Sequence, residues 1–285
     1  MNCILVADSG STKTDWIFIS GENNALEVHT AGLNPVRDSQ SVIFSILSEE
    51  LLPQLPYLDI QDIYFYGAGC ILPFSKVIQE ALAKFFPKTP HISVESDLLG
   101  AARALCGHNE GIACILGTGS NSCYYDGQTI RQNTPPLGYI LGDEGSGSVL
   151  GKTFAGQLLK GLFPETLRQQ FFQETGLTQP DILNKVYREP RPNAFLASFV
   201  PFIAAHRQEE GIHRLIIENF RLFLTRNIMP YHRSDLPICF VGSIADTDLI
   251  RGISADIGKV QGLLRGGEVA FFLVPLQGIE EHIGI

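Results

Sequence analysis

Residues 115–127 read Ile115-Leu116-Gly117-Thr118-Gly119-Ser120-Asn121-Ser122-Cys123-Tyr124-Tyr125-Asp126-Gly127. An apolar run enters Gly-Thr-Gly-Ser-Asn and a second β-prone run leaves it. Two glycines flanking a threonine permit positive φ and keep side chains out of the turn. What stays exposed is a row of backbone N–H groups with the Thr118 and Ser120 hydroxyls, an array suited to an anion such as phosphate. Taken alone, the segment reads as a plain glycine turn in a β-hairpin. A second loop of the same type near the N-terminus changes that reading.

That second loop is Asp8-Ser9-Gly10-Ser11-Thr12-Lys13. An apolar run over 2–7 precedes it, a β-prone run over 14–20 follows, and 26–31 supplies a third strand. A helical pattern spans 39–52, with Val42, Ile43, Ile46, Leu47 and Leu51 on one face and Pro53 at its end. A strand at 63–67, a helix at 74–86, a strand at 91–95 and a helix at 97–105 complete the first part. From Gly111 the order begins again, with strands at 112–116, 122–125 and 129–132. After Pro135-Pro136 come Gly138–Gly147 and a helix at 148–162. Further helices are expected at 165–175, 179–188, 194–206 and 209–228. A strand at 237–241, a helix at 244–257, a strand at 268–274 and a last helix at 276–282 close the chain. The reading is a duplicated α/β protein with domains at 1–108 and 109–285, the second carrying a helical insertion and its last helix returning toward the first.

The 285 residues are 45% hydrophobic and 18% charged, enough for a sizeable core and unlike a disordered chain. A formal net charge of -9 argues against a general nucleic-acid binder, which needs a basic face, and leaves a small phosphate pocket open. No apolar run approaches the roughly 20 residues of a bilayer span, and Met1–Asp8 lacks the basic start of a signal peptide. The six cysteines, Cys3, Cys70, Cys106, Cys114, Cys123 and Cys239, form no CxxC pair and read as reduced, strand-filling thiols of a cytoplasmic protein.

Two such loops at equivalent places would clasp a polyphosphate between two lobes. Asp8 would hold Mg²⁺ directly or through water, since hard cations take carboxylate oxygens. Thr12 and Lys13 would supply a hydroxyl and a charge. Gly145–Thr153 (Gly-Ser-Gly-Ser-Val-Leu-Gly-Lys-Thr) imitates a phosphate-binding Walker loop. However, the glycine that motif requires five residues before Gly151 is Ser146, so Lys152 reads as a solvated helix residue.

Asp8–Asp15, Leu116–Asn121, the Gly-Asp-Glu-Gly-Ser-Gly run at 142–147 and Val241-Gly242-Ser243, in that order over most of the chain, resemble the N-acetylglucosamine kinase family. That family belongs to the BadF/BadG/BcrA/BcrD-type branch of the actin–sugar kinase–Hsp70 superfamily. The resemblance implies two ribonuclease H-like lobes in a duplicated actin-like ATPase fold, with ATP and Mg²⁺ deep in a cleft and a sugar at its mouth. It implies that Asp8, Gly10, Ser11, Thr12 and Lys13 form the first phosphate loop and Gly117, Thr118 and Gly119 the second. Gly242 and Ser243 match the glycine turn against which adenosine lies.

Asp97, in Val94-Glu95-Ser96-Asp97, matches the family's catalytic aspartate, and a fixed carboxylate can take the proton of a sugar hydroxyl as it attacks the γ-phosphate. On its own, Asp97 reads as the N-cap of the helix that follows, and the two roles are compatible. Asn34, Ser120, Asn121, Gly138 and Asp143 match sugar-contacting positions, whose amide, hydroxyl and carboxylate groups suit a polyol. Asp143 on its own also reads as a loop-capping carboxylate.

Pro135-Pro136-Leu137 departs from the glycine and bulky aromatic that the family often carries there. The Asn34 loop is one residue shorter, and 258–267 is unusually glycine-rich. The resemblance implies a kinase of an amino sugar, N-acetylglucosamine giving its 6-phosphate, with a homodimer as a family-level expectation. Two rivals on the same fold are an ATPase activator of a radical dehydratase, which needs cysteines gathered around an iron–sulfur cluster, and a non-enzymatic sugar sensor.

Overall fold

The computed structural model describes residues 3–10, 12–21 and 25–244. These divide into two units, residues 1–100 and 101–285. The division falls inside a helix, eight residues before the boundary expected at 108.

The first unit is built on strands β1 (Cys3–Ser9), β2 (Lys13–Ser20), β3 (Ala25–Ala31), β4 (Asp62–Gly67) and β5 (His91–Ser96), in the sheet order β3-β2-β1-β4-β5. β1–β2 and β2–β3 run antiparallel, and β1–β4 and β4–β5 parallel. Side chains alternate between faces. Leu5 and Ala7 of β1, Trp16 and Phe18 of β2, and Ile63 and Phe65 of β4 are buried in one core, with Ile43 of α1 (Gln40–Ser45) and Ile78, Ala81 and Leu82 of α2 (Ser75–Phe85). By the same alternation, Asp8 and its cross-strand neighbours Asp15 and Tyr66 take the other face. There Gly100 of α3 (Asp97–Cys106) lies on the Tyr66 ring, where a Cβ would stand 2.8 Å from it.

The second sheet repeats this order. It comprises β6 (Glu110–Leu116), β7 (Ser120–Asp126), β8 (Ile130–Asn133) and β9 (Ile238–Val241), arranged β8-β7-β6-β9. β6–β7 and β7–β8 are antiparallel and β6–β9 parallel. Position for position, β6, β7, β8 and β9 stand where β1, β2, β3 and β4 stand. Between β8 and β9 come seven helices: α4 (Gly138–Leu141), α5 (Gly147–Leu159), α6 (Glu165–Thr175), α7 (Gln179–Tyr187), α8 (Pro192–Ala197), α9 (Val200–Ala205) and α10 (Glu210–Phe223). Their core centres on Phe154 and Phe171, whose rings meet edge-on at 5.3 Å, with Phe199 and Phe202 against both. It continues into the sheet through Leu150, Leu116 and Phe240.

Three helix expectations are corrected. The helix at 39–52 does not stop at Pro53: α1 passes into a π-turn, Ile46–Leu51, and a 3₁₀ turn, Leu52–Gln54, which holds Pro53 in its first residues, where proline is tolerated. The helix at 194–206 is two helices, because Pro201 has no N–H for the preceding ladder and instead opens α9. The helix at 209–228 is α10 followed by a π-turn, Leu224–Ile228. Most of the helix expected at 244–257, the glycine-rich 258–267, the strand at 268–274 and the last helix lie outside the described residues, as does Ser11.

Candidate active site

In the first unit the β1–β2 register pairs Ser9 with Thr14, leaving Gly10–Lys13 as the hairpin tip, closed by the Gly10 N–H donating to the Lys13 carbonyl at 3.0 Å. The Thr12 N–H and hydroxyl make no hydrogen bond among the described residues. Asp8 and Asp15 face each other across the strands, and Asp15 binds Lys13 Nζ at 2.8 Å and His29 Nδ1 at 2.8 Å. Lys13 is therefore held by Asp15, a partner the sequence reading did not assign. Solvent reaches the Asp8 side chain, yet the protein packed around it pushes its carboxyl up to about 6. Asp97 and Asp15 add to that shift, while Lys13 opposes it.

Asp97 is the first residue of α3. The cap is Ser96, whose Oγ accepts the Leu99 N–H at 3.2 Å, so the N-cap reading of Asp97 falls one residue off. The Asp97 carboxylate accepts the Leu98 N–H at 2.9 Å, and burial raises its pKa despite that bond and one from its own N–H. Asn34 sits in the turn after β3. Its Oδ1 accepts the Val36 N–H at 3.0 Å and its N–H donates to Asp38 at 2.9 Å. Gly69, after β4, lies so close that a Cβ there would come within 2.6 Å of Asn34 Oδ1.

In the second unit the β6–β7 hairpin turns at Gly117–Gly119, closed by the Gly117 N–H on the Gly119 carbonyl at 2.9 Å. The carbonyls of Gly117 and Thr118 accept the Gly147 and Ser148 N–H groups at 2.9 and 3.1 Å, which fixes the loop on the start of α5. Among the described residues the N–H groups of Thr118 and Gly119 and the Thr118 hydroxyl make no hydrogen bond. Gly242 and Ser243 leave β9 beside this loop. Gly242 has φ 115° and its Cα abuts the Leu116 carbonyl. The structure thus brings Gly117, Thr118, Gly119, Gly242 and Ser243 together in one unit.

The Walker-like segment is spoken for. Ser146 Oγ accepts the Val149 N–H at 3.2 Å and its carbonyl accepts the Leu150 N–H at 3.0 Å, so the first four N–H groups of α5 all have protein partners. Gly151 lets α8 approach: a Cβ would fall 1.9 Å from the Leu196 carbonyl oxygen. Lys152 is exposed as expected, but its Nζ donates to the Tyr139 carbonyl of α4.

Asp143 has φ 54°, is nearly buried, and accepts the N–H groups of Ser120 and Gly138. Burial, with the adjacent Glu144, pushes its carboxyl up to about 6 against those two bonds and Lys152. Ser120 is buried and its hydroxyl donates to the Glu144 carbonyl at 2.7 Å. Asn121 Oδ1 accepts from the Ser122 N–H and Asn133 Nδ2, each at 2.9 Å. Glu144, which the sequence reading did not single out, binds Arg226 at 2.8 Å and Asn227 at 3.3 Å in the π-turn after α10. Burial would raise its carboxyl, and these partners hold it below its ordinary value. A cavity of about 680 Å³ between α5 and α10, lined among others by Val149, Phe163, Gly211 and Arg214, touches the Walker-like segment but none of the residues expected to bind nucleotide, metal or sugar.

One strand order in two sheets, with a glycine, serine and threonine loop at the tip of each first hairpin, defines the actin-like fold shared by sugar kinases. The chain is similar to a Porphyromonas gingivalis protein assigned as an N-acetylglucosamine kinase, at 47% identity over 98% of this chain and 96% of that one, with a TM-score of 0.89. With identity of that order along nearly the whole of both chains, it belongs to the N-acetylglucosamine kinase family. A Chromobacterium violaceum protein assigned the same way (17% identity, 86% and 88% coverage, TM-score 0.68) shares the fold. So does a ROK family glucokinase from Streptomyces griseus, solved with glucose and AMPPNP (15% identity, 99% and 97% coverage, TM-score 0.56). No family model and no curated protein matches the chain.

Proposed function

We propose that this chain transfers the γ-phosphoryl group of ATP to an amino sugar, N-acetylglucosamine, at its 6-hydroxyl. The observation that carries the reading is Asp97. Its carboxylate stands at a helix start that Ser96 already caps, its pKa is raised by burial, and it lies within electrostatic reach of Asp8 at the end of β1. A buried carboxylate with a raised pKa is suited to take the proton of an attacking hydroxyl, even while it accepts the Leu98 N–H.

In this reading Asn34 and Asp97 are sugar-binding residues, as are Asn121, Gly138 and Asp143. Ser120 acts there through the loop it holds rather than through its hydroxyl, which Glu144 occupies. Gly10, Ser11 and Thr12 receive phosphate oxygens, as do the N–H groups of Thr118 and Gly119, and adenosine lies at Gly242 and Ser243. Lys13 reaches the phosphates by leaving Asp15.

The Asp8 carboxylate, a hard oxygen donor with Asp15 and Asp97 nearby, fits Mg²⁺, which is commonly held by one or two carboxylates plus phosphates and water. When bound, the ion neutralises charge on the transferred group. The test is sugar-stimulated ADP release with Mg²⁺ over N-acetylglucosamine, N-acetylmannosamine, N-acetylmuramic acid and glucose. N-acetylglucosamine should stimulate most, and stimulation by none would refute the reading.

A further inference from the structure

Ser9 lies between Asp8 and Gly10 in the chain, and its side chain hydrogen-bonds to no position assigned to a ligand. It ends β1 opposite Thr14, and both side chains are fully buried. Ser9 Oγ is 2.7 Å from Thr14 Oγ1 and 3.1 Å from the Leu33 carbonyl, and it accepts the Leu33 N–H at 3.0 Å. Thr14 Oγ1 is 3.2 Å from the Ala31 carbonyl. Two hydroxyl protons serve these oxygens. Either Thr14 donates to Ser9 and Ser9 to Leu33, or Ser9 donates to Thr14 and Thr14 to Ala31. In both arrangements the Leu33 N–H keeps its acceptor. Alongside, the Gly32 N–H donates to the Thr12 carbonyl at 3.1 Å. The next residue is Asn34, whose Oδ1 rests against Gly69, and the Ala68 N–H donates to the Ser9 carbonyl at 2.8 Å.

We infer that Ser9, supported by Thr14, is a positioning residue that locks the Asn34 turn to the phosphate hairpin, so that sugar affinity depends on a buried hydroxyl outside the ligand contacts. The inference rests on the kinase reading for the identity of the sugar, while the lock itself is a property of the fold. Without the Ser9 hydroxyl, the Leu33 N–H loses its acceptor, and a buried donor without a partner is costly enough to drive the turn out of place. The Gly10–Lys13 loop keeps its own Gly10–Lys13 closure, so nucleotide binding should be little changed.

The experiment compares Ser9→Ala, Thr14→Val and the hydroxyl-preserving Thr14→Ser in the full chain. Ser9→Ala should raise the KM for N-acetylglucosamine by about 10-fold, with the KM for ATP and kcat within about 3-fold, a split that general destabilisation would not produce. Thr14→Val leaves Ser9 Oγ on the Leu33 N–H and carbonyl and should raise the sugar KM by less than about 3-fold. Thr14→Ser should leave the sugar KM at the wild-type value. Amide hydrogen exchange over residues 32–38 should rise in Ser9→Ala and stay at the wild-type level in Thr14→Ser. Unchanged exchange in Ser9→Ala, or sugar and ATP KM values rising together, would overturn the inference. A wild-type chain inert toward every sugar would refute the kinase reading alone, and the exchange comparison would still decide whether Ser9 holds the turn. If Ser9→Ala does not fold, Ser9→Cys, which keeps the side-chain shape but offers sulfur as a weaker acceptor to the Leu33 N–H, decides by the same two readouts.

Discussion

Gly242 and Leu116 meet backbone to backbone. A Cβ on Gly242 would stand 2.5 Å from the Leu116 carbonyl oxygen, the same oxygen that accepts the Ile244 N–H at 2.9 Å. Because φ at Gly242 is 115°, an L side chain there is strained as well as crowded. Gly242→Ala is expected to destabilise the protein by about 1–3 kcal/mol and to weaken ATP binding by shifting Ser243 and the Gly117–Gly119 loop. Calorimetric unfolding and titration with a non-hydrolysable ATP analogue check this, and an unperturbed affinity would show that the turn does not support the nucleotide.

Ser96 and Asp97 should separate capping from catalysis. Asp97→Asn is expected to lower kcat by about 10²–10⁴-fold with nucleotide affinity nearly unchanged. Ser96→Ala should instead cost about 1 kcal/mol of stability and leave kcat within a few-fold. A coupled ADP assay beside thermal unfolding reads both, and full activity in Asp97→Asn would remove it as the base.

Asp143 gives a pH dependence with a definite sign. Its folded-state carboxyl sits at about 6, above the ordinary value of 3.8, so its ionised form is disfavoured by folding. The corresponding stability is present below about pH 4 and is lost as pH rises through 6. Asp143→Asn should therefore raise stability at pH 8 by about 1–3 kcal/mol, with the gain vanishing near pH 4. It should also raise the sugar KM. Urea unfolding at several pH values tests it, and a gain that grew toward acid pH would contradict the assignment.

Gly151 and Lys152 predict opposite outcomes in adjacent residues. Gly151→Ala drives a Cβ into the Leu196 carbonyl and should cost about 3 kcal/mol or more. Lys152→Ala removes a surface contact to Tyr139 and should change ATP affinity by less than about 2-fold, since surface substitutions of this kind are near neutral. A large loss of ATP affinity in Lys152→Ala would revive the phosphate-loop reading of this segment.

Most strands were legible because alternation and turn chemistry are local. Both glycine loops fall at the tips of the hairpins where the sequence puts them. The helix breaks were less legible: Pro201 splits one predicted helix, while Pro53 is absorbed into a 3₁₀ turn, and neighbouring residues alone do not distinguish the two outcomes. For Asp97, sequence carries the position but not the surroundings: the fold buries its carboxyl, gives it the Leu98 N–H and leaves the Leu99 N–H to Ser96.

By itself the sequence determined the duplicated strand order, the two loops and the residue types set at them, since these follow from short-range periodicity and from backbone freedom at glycine. Only the tertiary structure decided how those residues are held. Ser120 is engaged by a carbonyl 24 positions away, Gly145 by Asn219 74 positions away, and Glu144 by Arg226 82 positions away. It also decided that the start of α5 binds its own chain rather than an anion, and that Ser9 joins the β1–β2 hairpin to the Asn34 turn. The reason is physical: a buried polar group needs a partner wherever the fold brings one, and sequence separation does not limit which residue that is.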